Sequence, residues 1–92
     1  MRTIAWFAAV LLLLAAGCGS PGRSSTLRGL DYLLGRHGFA QNDTEAVHWF
    51  ELAAQEGDAL GENNLGVMYM IGRGGLKKDD SEAVRLFKHA AE

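Results

Sequence analysis

Few side chains in this 92-residue chain stand where they could do chemistry. His37, His48 and His89 are the candidate metal ligands, and Glu45 precedes His48 by three residues, a spacing that can ligate a metal in a helical bundle. A metal site needs three or four converging ligands, and no cluster accompanies that pair. Gly72-Arg73-Gly74-Gly75 is glycine-rich but lacks the Gly-Lys-Ser/Thr ending through which a phosphate loop holds its anion. Ser24-Ser25 has no activating base nearby in sequence, and Asp79-Asp80 reads as a helix cap, not as a paired-carboxylate site. No catalytic, cofactor-binding or metal residue is therefore expected, and no cofactor. Cys18 remains. It is the sole cysteine, so no intramolecular disulfide can form, and a lone thiol needs its own explanation.

The residues before Cys18 supply one. Arg2 is the only charge in the first 22 residues, and Ile4–Ala16 is an unbroken apolar run of 13. A membrane-spanning helix needs about 20 apolar residues, whereas this run has the size of a signal-peptide hydrophobic region. It ends in Leu14-Ala15-Ala16-Gly17-Cys18, small residues leading to the cysteine. The segment resembles the lipobox of bacterial lipoproteins, with Ala15 where Leu is usual. That resemblance implies cleavage after residue 17 and acylation of Cys18, which anchors the chain in a membrane. Gly19, in place of Asp, implies by likeness to enterobacterial lipoproteins the outer membrane, facing the periplasm. Gly19–Ser25 follows as a Gly/Ser-rich tether, so residues 18–25 are expected to be a flexible linker.

Positioning falls to a repeat. Shifted by 37 residues, Gly29–Gln55 lies on Gly66–Glu92 without a gap, and twelve of the 27 pairs are identical. They include Gly29/Gly66, Tyr32/Tyr69, Gly35/Gly72, Phe50/Phe87, Ala53/Ala90 and Ala54/Ala91. A period of 20 to 50 residues marks a repeat architecture. The spacing of Leu27, Leu30, Leu33 and Leu34 predicts a helix over 26–34, capped by Thr26 and stopped by Gly35. Asn42 or Asp43 caps a second helix whose inward positions are Ala46, Val47, Phe50, Ala53 and Ala54, with Trp49 widening the stripe as core or as a partner's anchor. A third helix runs from near Asp58 to Ile71; Gly61 and Gly66 inside it each cost about 1 kcal/mol against alanine, and Gly66, which matches Gly29, is set there for close packing. The fourth starts at Asp80 with Ala83, Val84, Phe87, Ala90 and Ala91 inward. The chain divides into a signal peptide (1–17), the linker (18–25), a first repeat (26–57) and a second (58–92).

Leu65-Gly66-Val67-Met68-Tyr69, the Gly72-Arg73-Gly74-Gly75 turn, Asp79-Asp80 and the Ala-rich end of the fourth helix together are similar to the Sel-one-like repeat, a relative of the tetratricopeptide repeat. Gln55-Glu56-Gly57-Asp58-Ala59 fits the junction between two such units. The resemblance covers residues 28–92. It implies an all-α, right-handed solenoid of two helix–turn–helix units that binds another protein or a peptide and does no chemistry. By the tetratricopeptide analogy the first helix of each pair lines the binding face, which makes Arg28, Asp31, Glu62, Asn63 and Met70 the candidate contacts.

Without residues 1–17 the chain keeps eight Lys/Arg against eleven Asp/Glu, a net charge of −3. No basic face grips phosphates, so nucleic acid is not an expected partner. Two other classes stay open. Some proteins with this repeat are secreted β-lactamase-like hydrolases, but those carry repeated cysteine pairs, and a broad hydrolytic panel would separate them. A piece of a longer repeat protein would show an in-frame continuation of the gene. The interior pattern of the last helix also predicts an uncovered apolar edge, with partial unfolding or self-association of residues 19–92 through it.

Overall fold

The computed structural model describes residues 21–92. The expected signal peptide and Cys18 lie outside the described residues. Within them the chain forms four helices and no strand: α1 (Arg23–Leu34), α2 (Asp43–Gln55), α3 (Ala59–Ile71) and α4 (Asp80–Ala91). This is a short all-α solenoid of two helix–turn–helix units, α1–α2 and α3–α4.

Local chemistry sets the ends of the helices. Asn42 and Asp79 occupy the same place in the two units. Each side chain accepts a backbone N–H three residues on, Glu45 N at 3.1 Å and Glu82 N at 3.0 Å. Acidic residues fill both first turns, where the helix dipole favours them. Gly35 and Gly72 close α1 and α3 in the left-handed conformation that costs glycine nothing. The turns that follow match bond for bond. Asn42 N donates to Tyr32 O at 2.8 Å and Asp79 N to Tyr69 O at 2.9 Å. Arg36 N donates to Asp31 O, and Arg73 N to Met68 O.

Packing within each unit is also repeated. Gly29 faces the Phe50 ring and Gly66 faces the Phe87 ring; an added Cβ would stand 2.5 Å and 2.7 Å from the nearest ring carbons. Only glycine lets the paired helices close on these rings. The core runs across both units through Ala46, Val47, Phe50, Leu65, Met68 and Leu86.

Four expectations are corrected. Helix α1 begins at Arg23, not Thr26, so residues 23–25 are helix and not tether; Ser25 is buried and donates from Oγ to Glu56 Oε1 at 2.8 Å. Thr26 is no cap, since it lies one turn inside α1 with tertiary partners of its own. Of the leucines in α1, Leu30 and Leu33 pack on the core while Leu27 and Leu34 stay exposed. The inward set of α4 is also altered: Ala83 and Leu86 are buried, Phe87 and Ala90 only half so, and Val84 and Ala91 are exposed. No element of the described chain packs on the side to which Val84 and Ala91 turn.

Candidate protein-interaction faces

The contact between the two units shows how this chain builds an interface. Asp58 caps α3 through Gly61 N at 3.1 Å, and its carboxylate is fully buried against the first unit. Thr26 Oγ donates to it at 2.5 Å and Arg23 Nε at 3.1 Å. Burial of a carboxylate is tolerated because these donors replace its water. Gly61 backs onto Ala53 so closely that an added Cβ would lie 2.5 Å from the Ala53 Cβ. In the turn of the second unit, Gly74 does the same against the first: a Cβ there would meet Val47 Cγ2 at 2.4 Å and Asp43 O at 2.6 Å. Sequence reasoning read Asp58 as the start of a helix and missed this clasp. Its signal is the pairing of a capping Asp with Arg23 and Thr26, which only a tertiary register could connect.

At the N-terminal end the same surface is polar. Arg28 stands at the position of Leu65, with its guanidinium 4.7 Å from the Phe39 ring centre and 5.6 Å from that of Trp49. Tyr32 packs against Phe39 with ring centres 4.9 Å apart. Asp31, at the position of Met68, pairs with His37 Nδ1 at 2.8 Å and with Arg36 Nη2 at 3.6 Å. His37 takes a positive φ of 54° where the second unit has Gly74 at 70°. Trp49, at the position of Leu86, is half-buried beneath Arg28.

The C-terminal end differs. Ala59, Leu60, Asn63, Phe87, Ala90 and Ala91 line an open groove of about 370 Å³. Val84 beside it is 49% exposed, whereas its counterpart Val47 is 2% exposed beneath the second unit. Val67 and Met70 on α3 are also exposed, at 37% and 42%. Exposed apolar residues grouped in this way mark an interaction surface.

The candidate contacts therefore do not converge on one face. Arg28 and Asp31 belong to the polar N-terminal end, held in the contacts above. Asn63 lines the C-terminal groove, with Met70 exposed further along α3. Glu62 is a correction: expected at the surface, it is 6% exposed, because it turns from the groove and pairs with His89 Nδ1. Among the described residues no group of three His, Cys, Asp or Glu could hold a metal ion, and no helix is long and apolar enough to cross a membrane. The Glu45–His48 pair has its counterpart in Glu82 and Arg85, where the guanidinium donates through Nε at 2.9 Å and Nη2 at 2.5 Å. That bond holds the Glu82 carboxyl below the usual glutamate range. Burial raises the Tyr69 phenol, and Glu82, Glu51 and Asp79 add to the shift.

The Sel1 repeat profile matches residues 29–58 and 59–92, the first from the middle of α1 through α2 and the second over α3 and α4. The chain belongs to the Sel1 repeat family. Sel1 repeats are TPR-like helical scaffolds that generally mediate protein–protein interaction without catalysis. No curated protein and no solved structure gives a significant match. Around Arg28 and Asp31 the first unit's surface is charged and internally paired, although Leu27, Leu34 and Leu52 of that unit are exposed too, and the groove of the second unit is apolar and open among the described residues.

Proposed function

We propose that this Sel1 repeat chain is an exported bacterial lipoprotein, anchored through acylated Cys18 to the outer membrane on its periplasmic side. It is not an enzyme, and it holds a protein or peptide partner on the apolar C-terminal end of its solenoid. The exposed surface around Val84 and Phe87 carries the binding part of this reading, since the same positions are buried wherever a repeat lies against them. The anchor rests on the apolar run ending at Ala-Ala-Gly-Cys. Two or three acyl chains hold firmly, as each buried CH2 contributes about 0.8 kcal/mol. Because Gly22 is buried and α1 starts at Arg23, the leash from Cys18 is shorter than the stretch 18–25 suggests.

Both parts can be tested in cells. Cys18→Ser is expected to leave unprocessed precursor and abolish palmitate labelling; an unlabelled wild-type chain with normal processing would remove the anchor. A photo-cross-linking residue at Leu60 is expected to give a discrete adduct, and one at Arg28 none. Adducts at Arg28 alone would move the binding face to the other end.

A further inference from the structure

The described arginines differ in what they hold. Arg23, Arg36, Arg73 and Arg85 each pair with a carboxylate, that of Asp58, Asp31, Asp43 and Glu82 in turn. Arg28 pairs with none among the described residues, yet it is held in place. Its guanidinium lies 4.7 Å from the Phe39 ring centre and 5.6 Å from that of Trp49, and Phe39 is itself packed on Tyr32. An arginine resting on aromatic rings keeps its planar N–H fork open to an acceptor, and the rings have already restricted the side chain, so less freedom is lost when an acceptor arrives. One repeat later the same positions carry Leu65, Leu76 and Leu86, which belong to the core or pack on it. The cluster at Arg28 is therefore not of the kind that stacks one unit on another, since covering its guanidinium without an acceptor would leave a charge with neither water nor partner.

We infer that Arg28, Phe39 and Trp49 form a recognition site for a single carboxylate borne on an apolar body. The guanidinium fork takes both carboxylate oxygens, and the two rings receive the apolar body beside it. Arginine and tryptophan are residue types on which binding energy concentrates. One negative charge is what the site can neutralise. Asp31 follows Arg28 by one helical turn, with His37 and Arg36 already holding it, so a dianion such as phosphate would meet that carboxylate as well as the guanidinium. The site is separate from the C-terminal groove, and the inference does not depend on what that groove binds. A cross-linking residue at position 28 replaces the guanidinium itself, so the absence of an adduct there agrees with this site.

The test titrates the isotope-labelled full chain with sodium 3-phenylpropionate and follows the Arg28 Nε–H and Trp49 indole N–H resonances. Saturable shifts of both are expected. Arg28→Met, at an exposed position, should weaken binding about tenfold or more through loss of the charge-assisted pair, with an unchanged circular dichroism spectrum. Arg28→Lys keeps the charge and loses the fork, and should weaken binding about threefold or more. A Leu-Glu-Leu tripeptide blocked at both ends, whose one carboxylate is the glutamate, forms the second arm. Tighter binding than the free acid places the carboxylate on a protein segment, and weaker binding places it on a small molecule. Four results each overturn the inference: no saturable shift, equal binding of the uncharged 3-phenylpropionamide, binding of inorganic phosphate as tight as that of the carboxylate, or an Arg28→Met variant that binds like the wild type.

Discussion

At the N-terminal end of the solenoid Arg28 lies across Phe39 and Trp49, while one repeat later Leu65 shares a core with Leu76 and Leu86. The backbone at the two places is nearly the same, down to the paired hydrogen bonds of Tyr32 with Asn42 and of Tyr69 with Asp79. What separates them is whether another unit lies alongside. A position in a Sel1 repeat fixes its helix and its turn, but its neighbour decides whether the side chain there should be a leucine or an arginine. The opposite end makes the converse point. Val84 and Phe87 keep the residue types of Val47 and Phe50 and lose their cover.

The largest expected effect would test this contrast at the two phenylalanines. Phe50→Ala removes a fully buried ring and should cost about 3–5 kcal/mol, enough to unfold so small a domain. Phe87→Ala, in the same place on a half-open face, should cost about 1–2 kcal/mol, in proportion to the smaller area it buries. Thermal melting followed by circular dichroism reads both, and equal losses would mean that the two ends are alike. A middle-sized effect lies in the turns. Gly74→Ala pushes a Cβ into Val47 and the Asp43 carbonyl and should destabilise by about 1–3 kcal/mol. His37→Ala, at the equivalent outer position, already has a Cβ and should change stability by no more than about 0.5 kcal/mol. A neutral Gly74→Ala in chemical denaturation would show that the second turn does not press on the first unit.

The smallest effect sharpens the comparison at Glu82. Its folded pKa is lowered by the Arg85 hydrogen bond, so its stabilisation is complete above the ordinary glutamate range and disappears as pH falls through the folded value. Glu82→Gln should flatten the acid limb of the melting profile. An acid limb unchanged by Glu82→Gln would show that the Arg85 bond does not contribute to folding.

Much of the chain was legible before any coordinates. The period of 37, the caps at Asn42 and Asp79, the stops at Gly35 and Gly72, and the close approach at Gly66 are local events, settled within a turn or two of the backbone. Other features were not legible. Ser24 and Ser25 look like a tether by composition, and no local rule shows that Ser25 and Thr26 find Glu56 and Asp58, more than 30 residues away. The candidate contacts were chosen as exposed positions on the first helix of each pair, and that rule misplaced Glu62, whose burial depends on His89 in another helix. By itself the sequence determined that there are four helices, the caps and stops of α2, α3 and α4 and the repeat that stacks them, because hydrogen bonding and apolar periodicity act over a few residues. Only the tertiary structure decided which polar side chains meet across the units, because burial belongs to pairs of surfaces: Asp58 is buried on Thr26 and Arg23, and Glu62 on His89.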